Sequence, residues 1–122
     1  MEQSINKAKQ LQERLLTFSA NTITFVQKLP IHRSIIDQVI RSSCSVGANY
    51  TEALNGSSKT DFRNKIYIAK KEAAETEYWL RLITKMHPQL KTDDLIQECH
   101  HIVMILQKTV NTINDQRNRK DQ

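Results

Sequence analysis

The chain predicts an all-α fold, an up-down-up-down four-helix bundle, and three observations carry that expectation. Its 122 residues include only two glycines and two prolines, too few turn residues for an all-β fold. Apolar residues recur at spacings of three and four along four long segments. Pro30, Gly56 and Pro88 separate those segments, so the connections are short, and short connections make neighbouring helices antiparallel. A chain of this length forms one domain and buries enough surface for one compact core.

The first helix is expected over about residues 3–28, where Ala8, Leu11, Leu15, Phe18, Thr22, Phe25 and Leu29 make one apolar stripe. The second is expected over about residues 32–55 and the third over about residues 59–87, by the same spacing rule. Ser58-Lys-Thr-Asp61 resembles a capping box with Asp in place of Glu. Behind it run Phe62, Ile66, Ala69, Ala73, Thr76, Leu80 and Ile83. His87, just before Pro88, suits a helix C-terminus. The fourth helix is expected over about residues 92–115, with Thr92 as N-cap and Asp93 and Asp94 at the positive end of the helix dipole. Its stripe is Leu95, Cys99, Ile102, Leu106, Val110 and Ile113. The bundle domain is therefore 1–115, and the polar, basic tail 116–122 is expected to fray.

Residues 41–52, RSSCSVGANYTE, look hostile to a helix, since Gly, Ser and Asn are poor helix formers. Projected at about 100° per residue, the segment nevertheless keeps helical phase. Ile35, Ile36, Val39, Ile40, Ser43, Val46, Gly47, Tyr50, Ala53 and Leu54 share one side. Gly47 lies within that face, so a neighbouring helix can approach closely there, or a large ring can fill the space. Gln38, Arg41, Ser42, Ser45, Asn49 and Glu52 form a polar stripe on another side. A solvated face is the plain reading of a polar stripe, but such faces are rich in Lys and Glu. Short uncharged side chains suit a confined hydrogen-bonding seam. An antiparallel hairpin turning near Gly56 would set Arg41 opposite Glu75 to Glu77, and Glu52 opposite Arg63 or Lys65. Glu72, Glu75 and Glu77 are thereby expected in the seam.

The third helix carries a second apolar stripe, Ile68, Trp79, Leu82 and Met86, and the fourth carries Met104 and Ile105 off its main face. A monomeric bundle needs one stripe per helix, so the second stripe reads as a subunit interface or as a wide core face.

The net charge is +5 and the isoelectric point about 9.4, which favours acidic partners. On the third helix Arg63, Lys70, Lys71 and Arg81 share one side with Tyr67 and Tyr78. Cations neutralise phosphates and tyrosines stack on exposed bases. Lys7, Lys9 and Arg14 add to this, as do Arg117, Arg119 and Lys120 of the tail. Without a groove-reading motif, binding to RNA or DNA would follow backbone and shape.

Catalysis is not expected, because no convergent acid–base or nucleophilic site is present. Glu72, Glu75 and Glu77 point at different angles and alternate with cations. No metal or cofactor is expected either. Cys99, His100 and His101 are consecutive and diverge, and Glu98 with His101 makes only part of a di-iron pattern. Cys44 and Cys99 read as buried free thiols of a reducing compartment. The polar start, MEQSINKAKQ, has no signal-peptide pattern, and no apolar run reaches the ~20 residues of a membrane span. A cytoplasmic location is expected.

RSSCSVGANYTEA, followed by DFRNKIYIAKKEAAETEYWLRLI, resembles the four-helix-bundle family of 23S rRNA intervening-sequence proteins. The likeness spans about residues 38–83, the region the seam and the basic face share. It implies a ring-shaped homopentamer of bundles. It also implies kinship with the accessory protein of diversity-generating retroelements, a basic pentamer that binds nucleic acid and a reverse transcriptase. The expected activity is non-catalytic binding of structured RNA or DNA with low sequence specificity. The alternative is an interaction scaffold or accessory subunit for an unidentified protein partner.

Overall fold

The computed structural model describes residues 2–120, Lys120 through its backbone alone. Four helices follow one another: α1 (Glu2–Val26), α2 (Arg33–Leu54), α3 (Lys59–Met86) and α4 (Asp93–Lys120). RSSCSVGANYTE lies wholly inside α2. The end of α4 corrects the expected tail: residues 116–120 continue the helix. No Gly or Pro follows Pro88, and once nucleated a helix propagates easily through polar residues.

The caps explain the starts and stops. Ser58 has extended backbone angles (φ −151°, ψ 165°), and its hydroxyl accepts from the Asp61 amide at 3.0 Å. The Asp61 carboxylate takes the Ser57 hydroxyl at 2.8 Å, so the capping box is half formed. His32 caps α2, its Nδ1 accepting from the Ser34 amide at 3.1 Å. At the end of α3 the His87 amide donates to the Ile83 carbonyl at 2.8 Å. The Thr92 carbonyl accepts the first α4 bond, from Ile96. Its buried hydroxyl lies 2.5 Å from Thr84 Oγ1, tying the start of α4 to the end of α3.

Cross-helix contacts establish antiparallel neighbours in chain order. Gln12 meets Thr51 and Ser19 meets Ser43 between α1 and α2. Ser42 meets Thr76 between α2 and α3, and Tyr67 meets Asn114 between α3 and α4. Each helix packs on its sequence neighbours, whereas α1 touches α4 only sparsely. The core between them includes Leu15, Phe18, Val39, Val46, Ile66, Leu80, Ile83, Ile102 and Leu106. In the last turn of α1, Val26 is buried and Phe25 only half-buried.

Gly47 packs against α1: a Cβ built there would lie 3.4 Å from Leu15 Cβ and 3.9 Å from the Leu15 carbonyl carbon. One turn away the Ser19 hydroxyl donates to the Ser43 backbone carbonyl at 2.9 Å. The small residues of α2 thus serve a close helix approach, and Ser19 is part of it.

The two thiols differ, which corrects the expectation that both are buried. Cys99 is fully buried and donates to the Ala73 carbonyl at 3.3 Å. Burial, and then the charges of Glu77 and Glu98, push its thiol up to about 12. Cys44 is exposed, because it lies about 100° round the helix from Ser43 and off the buried line. Native protein is expected to release one equivalent of chromophore from an aromatic disulfide reagent, and a second only on unfolding, because the thiolate is the nucleophile. Rapid reaction of both thiols in native protein would contradict this assignment.

Candidate nucleic-acid interface

Of the expected seam residues, Arg41, Ser42, Glu52, Glu72 and Glu75 bond between α2 and α3, the charged ones along a partly solvated edge rather than a confined one. Arg41 reaches Glu72 at 3.1 Å and also pairs with Glu75, while its Nε donates to Gln38 at 3.1 Å. The buried Thr76 hydroxyl donates to Ser42 Oγ at 2.8 Å, and Lys65 pairs with Glu52 at 2.8 Å. Asn49 donates to the Ser45 carbonyl at 2.8 Å and so stays within α2. Glu77 leaves the seam altogether. It faces α4, with His100 Nδ1 at 3.1 Å and Arg81 at 3.4 Å. Two residues beyond Glu75 means about 200° of rotation, which turns it to the opposite neighbour.

These pairings segregate charge on α3. All three glutamates turn toward adjacent helices, while Lys71, Arg81 and Lys85 are exposed and Arg63 and Lys70 half-exposed. Among the described residues, Arg63, Lys70, Lys71 and Lys85 make no ion pair. The cations from Arg63 to Lys85 extend along about 33 Å of helix. Lys85 was not among the expected residues. Its signal is the seven-residue repeat Lys71–Tyr78–Lys85, which puts all three on nearly one line.

The two tyrosines differ. Tyr67 donates its hydroxyl to Asn114 Oδ1 at 2.9 Å and so ties α3 to α4. Tyr78 is 59% exposed, its ring edge-to-face with Trp79 at a centroid distance of 5.2 Å. The Trp79 indole N–H in turn donates to Glu75 at 3.3 Å.

Of the remaining expected cations, Lys7, Lys9, Arg117 and Arg119 are exposed. All four lie at the end of the bundle that carries Arg63. The Lys120 side chain lies outside the described residues. Arg14 requires a correction: its Nε and Nη2 hold Glu98 at 2.7 and 2.6 Å, so its charge is already matched. That hydrogen bond holds the Glu98 carboxyl below the usual carboxylate range, against the opposing effect of burial. A depressed carboxylate pKa adds stability that is present above the unfolded-state value and lost as pH falls through the folded one. Glu98→Gln is therefore expected to lower stability at neutral pH by about 1 kcal/mol or less, since both side chains are partly solvated. The difference from wild type should shrink as pH falls below the usual carboxylate range, as urea unfolding at neutral and at acid pH will test.

Between α1 and α4 lies an open groove of roughly 770 Å³, floored by Ala8, Leu11, Tyr50 and Ile105. Among the described residues no group of three His, Cys, Asp or Glu side chains is placed to hold a metal ion. Of the second apolar stripe, Ile68 and Met86 are 39% and 49% exposed, while Trp79 also packs on the core. Both readings of that stripe thus have a share. Among the described residues no helix is long and apolar enough to cross a membrane.

The 23S rRNA-intervening sequence protein model matches residues 5–108. The chain belongs to that family. A solved structure similar to it is that of a protein with unknown function from the S23 ribosomal protein family, from Bacteroides thetaiotaomicron VPI-5482. The two are 30% identical over 81% of this chain and 96% of the other, with a TM-score of 0.74. No curated protein matches. The family match spans the whole seam and every cation of α3, so the features described above belong to the part of the chain that the family shares.

Proposed function

We propose that this family member is a non-catalytic oligomer, a homopentamer, that binds structured RNA or DNA through the outward face of α3 with low sequence specificity. The observation that carries the reading is the charge segregation on α3. The glutamates are engaged by Arg41 and His100, and unpaired lysines face outward. A solvated face with no partner would more commonly intersperse both signs. The half-exposed stripe of Ile68, Leu82 and Met86 supports self-association, and repeating the basic face in an oligomer multiplies a weak attraction. That same stripe favours the second reading, an interaction scaffold that binds a protein partner and no nucleic acid.

Light scattering gives the mass, and titration of structured RNA and duplex DNA at low and moderate salt gives the affinity. A pentamer whose affinity falls steeply with salt is expected, because each neutralised phosphate contributes a slope of about 0.9 on logarithmic axes. Absence of binding at low salt would remove the nucleic-acid reading and leave the scaffold. A monomeric mass would remove the pentamer.

A further inference from the structure

Tyr78 is the most exposed aromatic ring among the described residues, and it lies on the basic face. Exposed aromatic rings supply little to folding, and this one has no hydrogen-bond partner among the described residues. Its position is nevertheless held. Trp79 meets it edge-to-face, and Trp79 is itself fixed by its bond to Glu75 and by packing on the core. Lys71 and Lys85 stand seven residues to either side, about 10 Å along the helix in each direction. Arg81 lies one turn away, ion-paired with Glu77 at 3.4 Å yet 68% exposed. A ring held in place between cations matches the pattern by which proteins bind single strands, in which charges track the backbone and an aromatic face takes a base.

We propose, resting on the nucleic-acid reading above, that Tyr78 is a stacking platform for an unpaired base and gives the α3 face a preference for single-stranded nucleotides over duplex. In a duplex the faces of the bases are covered by their neighbours, so Tyr78 has nothing to stack on and only the cations contribute. In a single strand, a loop or a bulge the base faces are free, and one base–aromatic contact adds roughly 1–3 kcal/mol, about five- to 150-fold in affinity. Tyr67 does not do this, because its hydroxyl is committed to Asn114 and its ring is less exposed. The selected ligand is thus an unpaired stretch, either free or presented by a folded RNA.

Trp79, the only tryptophan, reports the event, because a base stacked on Tyr78 lies beside the indole. The experiment titrates oligothymidylate, oligouridylate and a duplex of equal length at low salt, following Trp79 fluorescence and, separately, anisotropy of labelled probes. Wild type, Tyr78→Ala and Tyr67→Phe are compared after circular dichroism has verified their helix content. Tyr78 is exposed, so its truncation leaves the core intact. The expected result is tighter binding of the single strands with quenching of Trp79. Tyr78→Ala should lose about ten-fold for single strands and nothing for duplex, and Tyr67→Phe should match wild type. Equal single-strand and duplex affinities, or a Tyr78→Ala variant that binds single strands as wild type does, would overturn the stacking platform while the phosphate-binding reading stands. Failure of every probe to bind wild type at low salt would overturn both.

Discussion

Replacing Lys70, Lys71 and Lys85 together by glutamate is expected to weaken binding of RNA or DNA at low salt by at least about a hundred-fold. On the proposed reading each substitution would remove a phosphate contact and set a carboxylate against the backbone, and like-charge juxtaposition at an interface carries a penalty of several kcal/mol. The salt slope should also flatten by about 0.9 for each phosphate no longer neutralised. The fold should be unaffected, since Lys71 and Lys85 are exposed, Lys70 is half-exposed and none makes an ion pair among the described residues. Charge reversal at Lys28, which lies on the segment joining α1 and α2, separates a local effect from net charge. If reversal there weakens binding as much per charge, overall charge and not the α3 face governs affinity. Anisotropy titrations at several salt concentrations, with melting curves alongside, decide between these outcomes.

The second large effect concerns Gly47. Its neighbour is Leu15 of α1, and a Cβ would sit 3.4 Å from Leu15 Cβ, at the near edge of ordinary van der Waals contact. Gly47→Ala should therefore fit, and the helix propensity gained, about 1 kcal/mol, should leave stability unchanged or raised. Gly47→Val is different. Its γ-methyls extend toward the Leu15 backbone, and overpacking of this kind typically lowers stability by about 1–3 kcal/mol. Urea denaturation of the two variants measures the distinction. A large loss from Gly47→Ala would mean that α1 lies closer to α2 than these distances indicate.

The sequence carries the elements and the core well, and for a definite reason. Burial of one helix face imposes a period that is visible in every helix, so Ile66, Ala69, Ala73, Leu80 and Ile83 stand out in α3 and all prove buried. The α2–α3 seam was also legible, because a short antiparallel hairpin fixes which residues lie opposite one another, and Arg41 duly meets Glu72 and Glu75. What the period does not contain is the identity of the neighbour on each flank. Glu77 lies only two residues beyond Glu75, yet it faces a different helix. Arg14 looked like a surface cation because its partner, Glu98, is 84 residues away across a contact that no local pattern encodes. Cys44 lay inside an apolar-looking run but on its outer edge. Of the candidate site, most of the basic face was legible. Which charges are already matched, and which tyrosine is tied down, needed the three-dimensional arrangement.

The sparse α1–α4 contact has a mechanical consequence. The molecule resembles a book whose spine is α2–α3 and whose boards are α1 and α4, meeting along one lightly latched edge at Arg14–Glu98. Regions with few packed contacts open at lower free energy than the whole molecule, so local opening is expected to begin by swinging α1 outward on α2. Such a motion leaves α2, α3 and α4 assembled and the basic face of α3 undisturbed. The α3 face proposed to meet a ligand would thereby stay intact while the α1 edge opens.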